Sequence, residues 1–177
     1  VADTVKSLDN TGNVNINAAT TVQNAFTNDG TINQDGDLSV TNALTNNGTL
    51  NVTATSSANV GTFVGTGTVD ITSGKTLTLN QSGTSNYSGI IDGLGGFTKA
   101  GNGTLTLSGG SANTYSGATD VDAGTLVLSK SAVNGAVSGE VNLNGGTLEL
   151  GADDQIADGA QVNFDGGTFD TAGFNEG

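Results

Sequence analysis

Three pairs of carboxylates stand close enough along the chain to share a cation: Asp35 and Asp37 around Gly36, Asp120 and Asp122 around Val121, and the adjacent Asp153 and Asp154. Calcium takes about six to eight oxygen ligands, so a single pair offers only a weak Ca2+ site. None of the three matches an EF-hand loop or the Gly-Gly-x-Gly-x-Asp nonapeptide of calcium β-rolls. Two readings stand for them: solvated surface charge, and low-affinity Ca2+ bridging, above all between neighbouring molecules. Catalysis is harder to staff. The chain has no histidine and no cysteine, so the common nucleophile–base pairs are absent. Paired carboxylates could hydrolyse glycosides, but no arginine accompanies them. Tyr87 and Tyr115 lie in related stretches, Asn86-Tyr87-Ser88-Gly89 and Asn113-Thr114-Tyr115-Ser116-Gly117, which points to a structural turn role. No catalytic residue is assigned.

Charge narrows the partners. Seventeen carboxylates face Lys6, Lys75, Lys99 and Lys130, for a net charge of −13. Nucleic acid needs a cationic surface that displaces counterions, so it is excluded as a partner. An anionic membrane surface is disfavoured for the same reason. No apolar run reaches the ~18 residues that span a bilayer, and membrane insertion is not expected. The chain begins at Val1 without Met and without a signal peptide. It reads as a processed mature form or as the ordered part of something longer.

The elements that would position these residues are short and repeated. Gly48-Thr49-Leu50-Asn51-Val52, Gly67-Thr68-Val69-Asp70-Ile71, Gly103-Thr104-Leu105-Thr106-Leu107, Gly124-Thr125-Leu126-Val127-Leu128 and Gly146-Thr147-Leu148-Glu149-Leu150 are one pattern. Each is a turn glycine followed by aliphatics at period two, the mark of a half-buried strand. Gly12, Gly30, Gly48 and Gly67 step by 18, 18 and 19 residues, and Gly103, Gly124, Gly146 and Gly167 by 21, 22 and 21. The 36 residues from Gly67 to Gly103 read as two coils of 18. A fixed unit at such a period is the signature of a repeat architecture.

Further aliphatic pairs such as Leu38/Val40, Leu77/Leu79, Val141/Leu143 and Val162/Phe164 give three strands per period. Only 34% of residues are apolar and 29 are glycine, a composition that borders on disorder. Regular alternation argues against disorder. A sandwich or barrel also shows many short strands, but does not require one residue type at one place in every period. The fold expected is therefore an all-β parallel solenoid of three strands per coil. About nine coils of 18–22 residues form a single rod over 1–177, regular over 1–82 and longer-coiled over 83–177. At ~4.8 Å per coil the rod is roughly 40 Å long.

Within that frame Leu50/Val52, Val69/Ile71, Leu105/Leu107, Leu126/Leu128 and Leu148/Leu150 point inward as continuous aliphatic columns. Outward stand a column from Thr31, Thr49 and Thr68 to Thr104, Thr125, Thr147 and Thr168, and one from Asn15, Asn33 and Asn51 through Asp70 to Thr106, Val127, Glu149 and Asp170. The asparagines are expected to form side-chain amide ladders. The threonines read as β-formers on an exposed strand, or as a flat ice- or glycan-contacting face. The glycines are expected to supply positive φ at the corners.

Residues 87–128 read as one unit. Its core, Gly95-Gly96-Phe97-Thr98-Lys99-Ala100-Gly101-Asn102-Gly103-Thr104-Leu105, closely resembles the autotransporter-associated β-strand repeat, also called the passenger-associated transport repeat. Ala118 and Asp120 depart from the Gly and Thr common there, at little consequence for the fold. The resemblance implies a right-handed parallel β-helix in a secreted or surface-exposed bacterial protein, with no catalytic residues to carry over. A translocator barrel and a protease or adhesin subdomain are missing from the pattern, so the chain reads as part of a passenger or as a protein that borrowed the repeat. The function expected is a non-enzymatic extracellular structural rod that self-assembles end to end into a surface fibre or matrix filament, because solenoid ends expose unpaired backbone. The alternative is the stalk of an autotransporter adhesin that contacts glycans or other cells. A polysaccharide-active β-helix enzyme is the remote third. No cofactor is expected beyond Ca2+.

Overall fold

The computed structural model describes residues 3–177. Among the described residues there are 21 strands and no helix. All strand pairings are parallel, the arrangement that coils of one repeat produce when each stacks on its predecessor. The strands form a three-faced solenoid, as expected from three aliphatic pairs per period. Nine strands lie on the main path of the first face, from Asp3–Val5 to Val162–Phe164, so the chain makes about eight turns. The second face runs from Leu8–Asn10 and Phe26–Asn28 through the outer ends of Leu38–Asn46 and Ser56–Val64 to Thr84–Tyr87, Thr104–Gly109, Thr125–Lys130, Thr147–Leu150 and Thr168–Asp170. The third face holds only five strands, Asn13–Ile16 to Ile90–Gly93.

Alternation places the residues inward as expected. Leu50, Val52, Val69, Ile71, Leu105, Leu107, Leu126, Leu128, Leu148 and Leu150 are all fully buried. Their columns, however, are not continuous. Thr68 pairs with Ile90, and Thr104 pairs with Thr84. The Gly-Thr-Leu pattern therefore occupies the third face through Thr68–Ile71 and the second face from Thr104 onward. The step of 36 residues is not two coils of one column but a change of face. The fifth coil, residues 76–93, carries strands on all three faces and is where the two frames overlap.

Two glycine columns result. Gly12, Gly30, Gly48, Gly67 and Gly89 stack at the corner between the second and third faces. Gly61, Gly83 and Gly103 stack at the corner between the first and second. The reason for glycine also differs from expectation. Gly48 has no positive φ, whereas a Cβ there would run into the carbonyl oxygen of Gly30. Close approach of successive backbone corners excludes a side chain. At Gly124 both reasons act, a left-handed φ of 67° and the carbonyl oxygen of Gly103 in the place of a Cβ.

From residue 96 the third face loses its regular strands. It continues through Thr114 and Ser116, whose N–H groups bond Ile91 and Gly93 (2.9 and 3.1 Å), and through a bridge from Val137 to Ile156. Burial of Tyr115, Ala136, Val137 and Ile156 keeps this side of the core closed.

Candidate functional site

The six carboxylates singled out above are spread over the rod. Asp35 and Asp37 sit at the corner between the third and first faces, where Asp35 accepts from the Thr53 hydroxyl and Asp37 from the Ser57 N–H (2.8 Å). Asp120 and Asp122 point outward on either side of buried Val121. Asp120 accepts from Asn142 Nδ2 (2.8 Å) and Thr98 Oγ1 (3.4 Å), and Asp122 from Asn144 Nδ2 (2.8 Å). Asp153 accepts from the Asn175 N–H (2.8 Å), and Asp154 adopts a left-handed turn conformation, φ 50°. Five of the six thus bond a coil next to their own. Among the described residues no three acidic side chains converge on a common point.

The outward asparagines form the expected ladder on the third face. Asn33 Nδ2 donates to Asn15 Oδ1 and Asn51 Nδ2 to Asn33 Oδ1, both at 2.8 Å. Asn163 and Asn142 continue the Asp120 column on the first face (2.9 Å). Outward Thr31, Thr49 and Thr68 run beside Asn33, Asn51 and Asp70. A shallow groove of about 350 Å³ lies at the corner between the first and second faces, lined by Thr41, Asn42, Thr62, Ser82 and the glycines at 61 and 83.

A second amide ladder runs inside the core. Asn10, Asn28 and Asn46 are buried on the second face. The Asn10 amide donates to Asn28 Oδ1 (2.7 Å) and to the Thr31 carbonyl (2.9 Å). Asn28 repeats this with Asn46 (2.7 Å) and Thr49 (3.1 Å). Carbonyls at a corner lie outside the strand ladders, and a buried carbonyl without a donor is costly. The inner amides supply those donors. Gln81 and Asn113 do the same at other corners, bonding the carbonyls of Thr104 (2.8 Å) and Ala136 (2.9 Å).

The ladder ends on Tyr87. Its hydroxyl accepts from Asn46 Nδ2 (3.1 Å) and donates to the Gly67 carbonyl (2.8 Å). It reaches past the level of Gly65, which has no side chain to block it. Its ring stacks on Phe63 with centroids 4.5 Å apart. Tyr115 is likewise buried, its hydroxyl 2.6 Å from that of Thr119. The tyrosines are core residues rather than surface turn residues. Burial pushes both phenols up to about 12.

Two lysines are also inside. Lys99 and Lys130 are buried, and Lys99 occupies a column between Leu79 and Val121. Lys99 Nζ donates to the carbonyls of Ala100 (2.9 Å), Gly101 (2.9 Å) and Ala123 (3.2 Å). Lys130 lies opposite Gly109 and passes it, so that Nζ reaches the Gly89 carbonyl two coils away (2.6 Å). In the sequence both enter only as part of the net charge. The 18-residue spacing of Asn10, Asn28 and Asn46 was a usable signal for the inner ladder; for the lysines the inward phase of their strands was the signal.

Residues 97–128 match the family described as the Passenger-associated-transport-repeat. The chain is 39% identical over 124 residues to the adhesin BmaC autotransporter of Brucella suis biovar 1 (strain 1330); the alignment covers 66% of this chain and 4% of that protein. No solved structure matches the chain. The resemblance read from Gly95 to Leu105 is therefore shown, within a β-solenoid.

Proposed function

We propose that this rod, which carries a passenger-associated transport repeat, serves as a non-enzymatic, surface-exposed segment of an adhesin-like passenger. The observation that carries the reading is how its polar side chains are used. Buried asparagines, glutamines and lysines bond backbone or one another along the rod axis, which suits a stiff spacer. Likeness to an adhesin autotransporter supports the surface location. An antibody raised against the folded rod tests this on the source bacterium: it should label intact cells. Labelling that appears only after permeabilisation would overturn the proposal.

Two finer roles fit particular surfaces. Contact with glycans is favoured by the outer ladder. Among the described residues, Asn33 and Asn51 each leave one amide N–H without a protein partner beside the hydroxyls of Thr31 and Thr49. A glycan array with the intact rod should give signal that falls on replacing Asn33 and Asn51; a blank array removes this role. End-to-end stacking into a filament is the second of these roles, because any free solenoid end presents unpaired backbone strands. Small-angle scattering should show rods that lengthen with concentration. Monomers at every concentration would remove it.

A further inference from the structure

We propose that Lys99 and Lys130 are proton-controlled fasteners, which hold the coils over residues 96–139 loosely while both carry charge and tightly once they are neutral. The geometry comes first. Each side chain is buried in a stack that is otherwise apolar or glycine, and each ammonium bonds only backbone carbonyls. A buried charge without a paired anion is costly.

The surrounding groups do not compensate. Around Lys99, the strand below contributes Leu79 and the strand above Val121. The charged side chains of that upper element, Asp120 and Asp122, are outward and bonded to Asn142 and Asn144. Tyr115, across the core, is engaged with Thr119. Around Lys130, Tyr87 is engaged with Asn46 and Gly67, and outward Asp92 with Thr114 (2.6 Å). In the coil above, Gln155 bonds the Lys130 backbone, Asp153 bonds Asn175, and Glu176 bonds the N–H groups of Gln155 and Ile156. Outward Glu149, opposite Val127 on the next strand, and Asp154 complete the set.

Losing the proton removes the buried charge but not the fastening. A neutral amine keeps two N–H donors, enough for the single bond of Lys130 and two of the three made by Lys99. Burial pushes both amines down to about 8 from 10.5. The unfolded chain then binds more protons between those values, so stability rises with pH across that window and is flat below it.

An NMR pH titration of the Lys99 and Lys130 side-chain methylene signals tests the proposal on the intact chain. Lys99 and Lys130 should titrate near pH 8, at least a hundredfold in proton affinity below the ordinary lysine value of 10.5. The melting temperature should climb by several degrees from pH 7.5 to 9.5. Lys99→Met with Lys130→Met should abolish the climb. Titration of Lys99 and Lys130 at the ordinary lysine value of 10.5 would overturn the proposal even if the double variant does not fold. So would a wild-type melting temperature that is unchanged over the window.

Discussion

The first four coils, residues 3–71, and the last four, residues 96–177, solve one problem with different parts. In the first four, the Gly-Thr-Leu strand lies on the third face, and an inner row of asparagines seals the corner beside it. In the last four, the same strand lies on the second face, and single long side chains seal the corners. A parallel rung has no memory of which face it occupies. It needs alternation, a corner without a Cβ, and a donor for each corner carbonyl. Tyr87 of the fifth coil passing Gly65 and Lys130 of the last four passing Gly109 repeat one solution, in which a glycine clears the way for a side chain two coils off.

Equivalence of the two settings can be broken most sharply in the aliphatic columns. Leu50→Ala and Leu105→Ala should each cost about 2–5 kcal/mol in chemical unfolding, because both leucines are fully buried and leave cavities. A cost at Leu105 below about 1 kcal/mol would mean that the second-face rungs are not true counterparts of the third-face ones. The inner ladder comes next. Asn28→Ala leaves Asn46 Oδ1 and the Thr49 carbonyl without their donor and takes one of the two acceptors of the Asn10 amide, at about 1–3 kcal/mol for each buried group. Asn33→Ala, in the outer ladder, should stay within about 0.5 kcal/mol. Equal costs would erase the distinction between inner and outer asparagines.

Alkali separates the halves by a gentler route. Tyr87 and Tyr115 are raised to about 12 in the folded rod, against 10.0 when unfolded. Unfolded tyrosines ionise first, so their contribution to stability is complete below pH 10 and is lost as pH rises to 12. Unfolding midpoints should fall over that range, and Tyr87→Phe should soften the fall. An unchanged fall in the variant would assign it to Tyr115 alone.

Much of this was legible in the residues. Period two within strands and a period near 20 between glycines gave the parallel solenoid, and the inward identity of Leu105 and its kin followed directly. The change of face was not legible, because 36 residues happen to equal two coils of 18, and identical motifs carry no label for the face they occupy. Lys99 and Lys130 entered only the net charge, and lysine is rarely buried unpaired. Their strands' alternation said otherwise. The carboxylate pairs lay where side chains meet solvent, and sequence spacing says nothing about which neighbouring coil would engage them.

Whether the Gly-Thr-Leu strands form one column or two is the central structural claim, and the absence of cysteine makes a clean test available. Cysteine pairs on adjacent parallel strands can meet the Cα separation of about 4.4–6.8 Å that a disulfide requires. Under mild oxidation, Thr84→Cys with Thr104→Cys should cross-link, and so should Thr68→Cys with Ile90→Cys, as their registers require. Thr68→Cys with Thr104→Cys should stay reduced. Efficient intramolecular cross-linking of that last pair, with the first two silent, would contradict the account.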